Sequence, residues 1–166
     1  MGKITVPFPL LLLLTKKKSE TYATTNAIVR LLTRLHPEAA LYDPKDPLTS
    51  TLIDQWLDFA ETELSTSDFK ALDISYKKLN KYLTIRSYLV GYQATAADFV
   101  VWGTLRASPV FARIVKTKKE TLGAYLVRWY EHILSFGAAE YALTAVQKQD
   151  KATKVGVYKS AEEETR

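Results

Sequence analysis

Residues 79–106, LNKYLTIRSYLVGYQATAADFVVWGTLR, decide the fold of this chain. A loop at residues 90–93 interrupts a helical pattern, and the pattern restarts at Thr95. Thr95 suits an N-cap because its hydroxyl can accept a hydrogen bond from a backbone N–H two or three residues later. Asp98 can reach back to the free N–H of Thr95, and its charge favours the positive end of the helix dipole. Since residues 99–105 are almost wholly apolar, the sequence predicts a buried central helix that begins with a capping box at Thr95 and Asp98.

The composition indicates a folded chain without thiol chemistry. Of its 166 residues, 47% are apolar and 11% aromatic, which is enough for a hydrophobic core. The absence of cysteine excludes a disulfide, a thiolate zinc site and a cysteine nucleophile. The two histidines, His36 and His132, lie far apart in sequence, so we expect no metal site and no cofactor. The formal charge of +5 permits contact with RNA or with an acidic partner but requires neither.

An apolar run near the start, residues 9–14, has the sequence PLLLLL. It is too short to cross a bilayer, and it is followed by three lysines rather than by a cleavage pattern. The run therefore predicts a buried strand rather than a targeting signal. We expect a cytoplasmic protein that does not associate with a membrane.

The pattern along the chain predicts three regions. These are a small strand-containing lobe with a proline-rich linker at residues 1–45, a helical domain at residues 46–147, and a flexible charged tail at residues 148–166. The first helix is predicted from Thr24 or Thr25 to Leu35, and strands are predicted within residues 4–15. The predicted helices of the second region are 48–64, capped by Thr49 or Ser50, then 69–88, 95–107, 110–115, 125–134 and 138–147. The fold class is thus α+β, mostly α.

Several segments together resemble one protein family. Residues 25–32, TNAIVRLL, look like the last helix of a thioredoxin-like lobe, and residues 53–60, IDQWLDFA, resemble the first helix of the helical domain that follows it. Residues 83–105 and the VRWY segment at 127–130 are similar to the signature of eukaryotic cytoplasmic glutamyl-tRNA synthetases, in which a glutathione-transferase-like (GST-like) domain precedes the catalytic core. The resemblance implies a GST-like fold with a reduced thioredoxin-like N-terminal lobe and an all-helical C-terminal lobe.

The same resemblance implies a function without chemistry in this chain. It predicts a non-catalytic domain that docks onto the GST-like domain of a scaffold or tRNA-binding cofactor in a multi-synthetase complex, as a heterodimer, with weak or indirect contact to tRNA. A class I ligase core would need a His-Ile-Gly-His-like element and a Lys-Ser-rich loop, whereas the histidines here stand alone and the six glycines are dispersed. Two alternatives stay open, a divergent glutathione transferase and a GST-like domain of another translation factor. A transferase would need a hydroxyl near the first strand and an acidic-Ser pair, and Thr24-Thr25 stand at the place of that pair.

Arg128 is one candidate partner-binding residue. Neighbouring positions on a helix point about 100° apart, so Trp129 can be buried while Arg128 is exposed. The resemblance implies that Arg128 pairs with a carboxylate of the partner, for which a planar guanidinium is well suited. The alternative is an ordinary surface arginine.

A second candidate surface combines the predicted first helix with the helix at residues 48–64. Arg30 and Arg34 on the former are complementary in charge to Asp54, Asp58 and Glu61 on the latter. The charges can pair within the chain or with a partner across a pseudo-twofold axis, and the sequence does not separate these alternatives.

A third group is basic and contains Arg106, Arg113, Lys116, Lys118 and Lys119. It is either a solvated surface or a contact for an acidic protein or for the tRNA backbone. No interleaving of aromatic residues with these charges suggests a platform for stacking the bases of a single strand.

Overall fold

The computed structural model describes residues 24–42 and 45–137. Six α-helices are present in this part of the chain: α1 Thr25–Leu35, α2 Pro47–Phe59, α3 Phe69–Tyr82, α4 Ala96–Ala107, α5 Pro109–Thr117 and α6 Ala124–Leu134. Short 3-10 turns occupy Pro37–Ala39, Leu83–Ile85 and Lys119–Leu122, and a π-helical turn, Ala60–Leu64, continues α2. None of the described residues is in a β-strand. The predicted strands, the predicted helix at 138–147 and the tail at 148–166 lie outside the described residues.

The starts of the first two helices follow their capping residues. The Thr24 hydroxyl accepts from the backbone N–H of Ala27 at 3.4 Å and is the N-cap of α1. The predicted cap of α2, Thr49 or Ser50, is wrong. Asp46 caps this helix instead, because proline is favoured at the first helical position and Pro47 therefore extends the helix toward its N-terminus.

The third helix is shorter than predicted, ending at Tyr82 rather than at residue 88. The backbone groups that would continue it are bound by other elements. The carbonyl of Leu83 accepts from Arg128, and the N–H of Leu89 donates to Asp98. The apolar period of the sequence continues through this segment, but these long-range contacts end the helix.

Helix α4 is the centre of the core, as the sequence predicts. It packs against α2, α5 and α6. The side chains that meet in this core are wholly or almost wholly buried: Ile53, Leu57, Leu72, Leu79, Leu83, Val101, Leu105, Leu126, Trp129 and Ile133. Among the described residues, no helix combines the length and the apolar character that crossing a bilayer requires.

Candidate docking surfaces

A buried carboxylate holds the start of α4 against α6. Asp98 is 0% exposed and accepts hydrogen bonds from the backbone N–H groups of Leu89 and Thr95, at 2.9 and 3.0 Å. The Thr95 hydroxyl donates at 3.1 Å and the indole N–H of Trp129 at 3.0 Å. The capping box is therefore present at Thr95 and Asp98. The Trp129 contact, which sequence reasoning missed, makes the same carboxylate the link between α4 and α6.

Asn80 caps α6 from a different helix. Its side-chain oxygen accepts from the backbone N–H groups of Tyr125 and Leu126, each at 3.0 Å. Gly123 immediately precedes α6 with a φ of +85°, and a Cβ at this position would lie 2.4 Å from the Asn80 side chain. Only glycine combines this left-handed backbone with such a close approach, so Asn80 and Gly123 set the position of α6 against α3.

Arg128 makes intrachain contacts in addition to being exposed. One terminal nitrogen donates to the carbonyls of Leu83 and Arg86, both at 2.9 Å, and the guanidinium lies 5.5 Å from the centre of the Tyr125 ring. A guanidinium has five N–H donors, and the N–H groups on Nε and the other terminal nitrogen have no acceptor within the described part of the chain. The two carbonyls thus orient an arginine that still has donors for a partner.

The segment whose carbonyls bind this arginine also carries an exposed apolar side chain. Ile85 is 85% exposed and stands between Leu83 and Arg86, the two residues whose carbonyls bind Arg128. We call Ile85, Tyr125 and Arg128 the α6 surface.

The charged residues of α1 and α2 meet within the chain. The Arg30 Nε donates to the Asp54 carboxylate at 2.9 Å, and the Tyr42 hydroxyl donates to the other oxygen of Asp54 at 3.2 Å. The hydrogen bond to Asp54 raises the pKa of Arg30 above its ordinary value. Both side chains of the ion pair are about one third exposed, at 31% and 32%. For Arg30 and Asp54, the structure shows the intrachain pairing.

The same two helices run antiparallel. Asn26 donates to Asp58 at 3.2 Å and to Glu61 at 2.8 Å, at the N-terminal end of α1. Arg30, one turn further along α1, meets Asp54, one turn back along α2. Arg34, one turn further along α1 than Arg30, has no ion pair among the described residues.

Leucines are exposed along α2 and at the end of α1. Leu48 is 80% exposed, Leu52 is 48% exposed and Leu35 is 52% exposed. Leu48 and Leu52 are four residues apart and lie on the same side of α2. Leu52 borders a groove of about 440 Å³ that also contains Trp56 and Asp58. We call Leu48, Leu52 and Asp58 the α2 face.

The five basic residues of the third candidate group are not together. Arg106 is in the last turn of α4, near Tyr130. Burial raises the pKa of Tyr130 above its ordinary value, and the charge of Arg106 offsets part of that rise. Lys119 forms an ion pair with Glu131. Arg113 and Lys118 line one cavity, and Phe69 of α3 lines the same cavity. Phe69 comes from a distant segment, so the sequence around the basic residues does not predict that its ring lies near Arg113 and Lys118.

The described residues contain no cluster of three histidine, aspartate or glutamate side chains that would hold a metal ion. At the position of the acidic-Ser pair that a transferase would need, the Thr24 hydroxyl is occupied in capping α1. Tyr22, a tyrosine close to that helix, lies outside the described residues.

The relatives of the chain are tRNA ligases and a protein named for the aminoacyl-tRNA synthetase complex. It is 38% identical over 114 residues to a bifunctional glutamate/proline–tRNA ligase of Mus musculus, an alignment that covers 68% of this chain and 7% of that protein. A probable cytoplasmic glutamate–tRNA ligase of Schizosaccharomyces pombe is 31% identical over 100 residues, covering 59% of this chain and 13% of the ligase. The aminoacyl tRNA synthase complex-interacting multifunctional protein 2 of Bos taurus is 36% identical over 62 residues, covering 37% of this chain and 19% of that protein. The chain thus spans less than a fifth of the length of the relatives it matches, and no family model matches it.

Solved structures share the fold. A chain from two binary sub-complexes of the yeast aminoacyl-tRNA synthetase complex superposes with a TM-score of 0.64 at 23% identity, covering 84% of this chain and 78% of that chain. A glutathione S-transferase from Xylella fastidiosa superposes with a TM-score of 0.63 at 18% identity, covering 76% and 71%. The mostly helical architecture is therefore GST-like. Together with the sequence relatives, this shows that the chain belongs to the GST-like domains appended to the N-terminal end of eukaryotic cytoplasmic glutamyl-tRNA synthetases.

Proposed function

We propose that this chain is a non-catalytic docking domain. It attaches a glutamyl-tRNA synthetase to a scaffold or tRNA-binding cofactor that carries a GST-like domain of its own, and the two domains form a heterodimer. The tether raises the effective concentration of tRNA near the ligase and adds no chemical step. The observation that carries the proposal is the match of the chain to a small part of large tRNA ligases, rather than to their whole length.

The identity of the relatives supports a partner within a synthetase complex. One relative is named for its interaction with the aminoacyl-tRNA synthetase complex, and one structural neighbour was solved in a study of how the yeast synthetase complex forms. Four of the matching glutamate–tRNA ligases are named as cytoplasmic, which supports a cytoplasmic location. We also propose that residues 1–45 contain a reduced thioredoxin-like lobe and that residues 148–166 are a flexible charged tail.

The α2 face is our first choice for the docking surface. Leu48 and Leu52 offer exposed apolar area, and Asp58, which lines the groove beside Leu52, adds a negative charge. A partner of the same fold that brings apolar side chains to the two leucines and a cation to Asp58 is complementary to this face. The intrachain bonds of Arg30 and Asp54 keep α1 and α2 in place beside it.

The α6 surface is the second choice. The carbonyls of Leu83 and Arg86 hold the Arg128 guanidinium in one orientation, so a partner carboxylate meets an ordered fork rather than a flexible side chain. Ile85 supplies apolar area next to it. Arg106 lies on α4 and belongs to neither surface.

The test is size-exclusion chromatography with light scattering of the chain mixed with the GST-like domain of the candidate scaffold. Leu48→Asp tests the α2 face, and Ile85→Asp with Arg128→Ala tests the α6 surface. Ile74→Asp on α3 is the matched control because Ile74 is 66% exposed and lies on neither surface. We expect a one-to-one complex that Leu48→Asp weakens at least about tenfold and that Ile74→Asp leaves intact.

Each result separates the alternatives. Loss of the complex only in Ile85→Asp and Arg128→Ala moves the interface to the α6 surface. A folded chain that forms no complex with the scaffold domain contradicts the docking function. Glutathione conjugation by that folded chain would favour the divergent transferase instead.

A further inference from the structure

A cavity of about 400 Å³ lies between α3 and the segment that leads from α5 into the 3-10 turn Lys119–Leu122. Its apolar lining comes from Tyr76, Ile114 and Leu122. Tyr76 and Leu122 are each only 3% exposed, so they form a floor rather than a rim. A concave site of this size with an apolar floor has the general character of a small-ligand site.

The rim combines an aromatic ring with two cations. Phe69, at the start of α3, is 52% exposed, and Arg113 and Lys118 come from α5 and the residue after it. Exposed aromatic rings on which bases stack, set beside cations that meet the backbone, are how proteins bind single-stranded nucleic acid. An acidic peptide would use the same two cations but would gain little from the ring.

The remaining polar groups of the lining are compatible with a nucleotide. The only carboxylate that lines the cavity among the described residues, Asp73, is bound by Lys77 at 2.6 Å, so Arg113 and Lys118 leave an excess of positive charge. The hydroxyl of Thr117 donates to a backbone carbonyl of its own helical turn at 2.9 Å, and that of Thr121 does the same at 2.8 Å. Their oxygens thus remain acceptors for ribose hydroxyls or base amino groups.

We propose that this cavity binds a nucleotide of single-stranded RNA, with the base against Phe69 and the phosphate at Arg113 and Lys118. Lys70 beside Phe69 and Lys116 beside Arg113 are exposed and extend the positive charge beyond the cavity, where adjacent phosphates of a longer strand would lie. The site shares no residue with the α2 face or the α6 surface. It goes beyond the docking function and does not depend on it.

The test is the fluorescence anisotropy of a short labelled oligouridylate titrated with the full 166-residue chain at low salt. Arg113→Glu should weaken binding at least about tenfold and make the salt dependence shallower. Lys81→Glu is the matched control, with the same change of charge. Lys81 lies on α3 outside the cavity lining, about 12 Å along the helix from Asp73. It should change the affinity less than about twofold.

A second variant separates stacking from charge. Phe69→Ala should weaken RNA binding about fivefold while leaving binding of an abasic oligomer unchanged, because the latter has phosphates but no bases. Far-UV circular dichroism establishes that each variant is folded. ATP as an unlabelled competitor distinguishes a free nucleotide from RNA. If ATP displaces the labelled oligomer at the same concentration as the unlabelled oligomer does, the site binds a free nucleotide and the RNA proposal is overturned.

Three further outcomes also overturn it. One is that Lys81→Glu weakens binding as much as Arg113→Glu, which would mean a diffuse basic surface. Another is that labelled polyglutamate binds as tightly as RNA and neither depends on Phe69, which would mean an acidic peptide. The third is that the folded wild-type chain does not bind the oligomer.

Discussion

Replacement of Asp98 by alanine should be among the most destabilising single changes in this domain. The substitution removes the acceptor of three N–H donors, on the backbones of Leu89 and Thr95 and on the indole of Trp129. These three residues are 1%, 5% and 1% exposed, so water does not replace the lost acceptor. An orphaned buried donor costs about 1–3 kcal/mol, and we expect Asp98→Ala to lower the free energy of unfolding by about 3–6 kcal/mol. Domains of this kind are stable by only about 5–15 kcal/mol.

Asp98→Asn gives a graded version of the same experiment. The amide keeps one oxygen, which can still accept from Leu89 and Trp129, but its NH₂ group then faces the N–H of Thr95. One buried donor is left without an acceptor, so we expect a loss of about 1–3 kcal/mol. If Asp98→Ala does not fold, this variant still tests the argument.

Urea unfolding followed by tryptophan fluorescence and by far-UV circular dichroism measures both effects. Asp73→Asn is the control, because Asp73 is a partly exposed carboxylate in an i,i+4 ion pair with Lys77. This substitution should lower the free energy of unfolding by at most about 0.5 kcal/mol. An Asp98→Ala midpoint equal to that of Asp73→Asn would refute the reasoning. So would an Asp98→Asn midpoint equal to that of Asp98→Ala, since the cost would then not follow the number of orphaned donors.

Two further changes test the attachment of α6 and of α1. Gly123→Ala should lower the free energy of unfolding by about 2 kcal/mol or more, because φ is +85° and the new methyl group would meet a side chain at 2.4 Å. Gly103→Ala, within α4 and with no atom within 4 Å of the new methyl group, should be neutral or stabilising by up to about 1 kcal/mol. Thermal melts of the two variants compare them directly, and equal losses would show that backbone conformation is not the cause. For α1, a double-mutant cycle of Arg30→Gln and Asp54→Asn should give a coupling energy of about 0.5–1 kcal/mol in chemical unfolding. A cycle with Arg34→Gln in place of Arg30→Gln should give a value near zero, and coupling in that cycle would contradict the register described for α1 and α2.

The sequence by itself determined the helical segments and their buried sides. The capping box at Thr95 and Asp98 is present, and Val101 and Leu105 of the apolar run 99–105 are buried, as is Trp129. These features arise from the helical period and from hydrogen bonds between residues within about four positions of each other. A short stretch of sequence is therefore enough to predict them. The resemblance to the GST-like synthetase domains was legible for the same reason, since it rests on contiguous segments.

The ends of helices were less predictable where distant residues compete for the backbone. The sequence pattern runs on past Tyr82, but Arg128 and Asp98 bind the backbone groups of the following loop. A proline at the first helical position moved the start of α2 to Pro47, capped by Asp46.

Only the tertiary structure decided how these elements meet at the candidate sites. The indole of Trp129 meets Asp98 at a separation of 31 residues, and Arg128 meets the carbonyl of Leu83 at a separation of 45. No local pattern encodes such pairs, because many partners of suitable chemistry lie elsewhere in the chain and packing alone selects one. The same reason explains why the sequence left the pairing of Arg30 open and did not predict that the Phe69 ring lies near Arg113. Packing of the helices brings the charges of α1 and α2 together. It likewise brings the ring of Phe69 and the nearby cations Arg113 and Lys118 into the lining of one cavity.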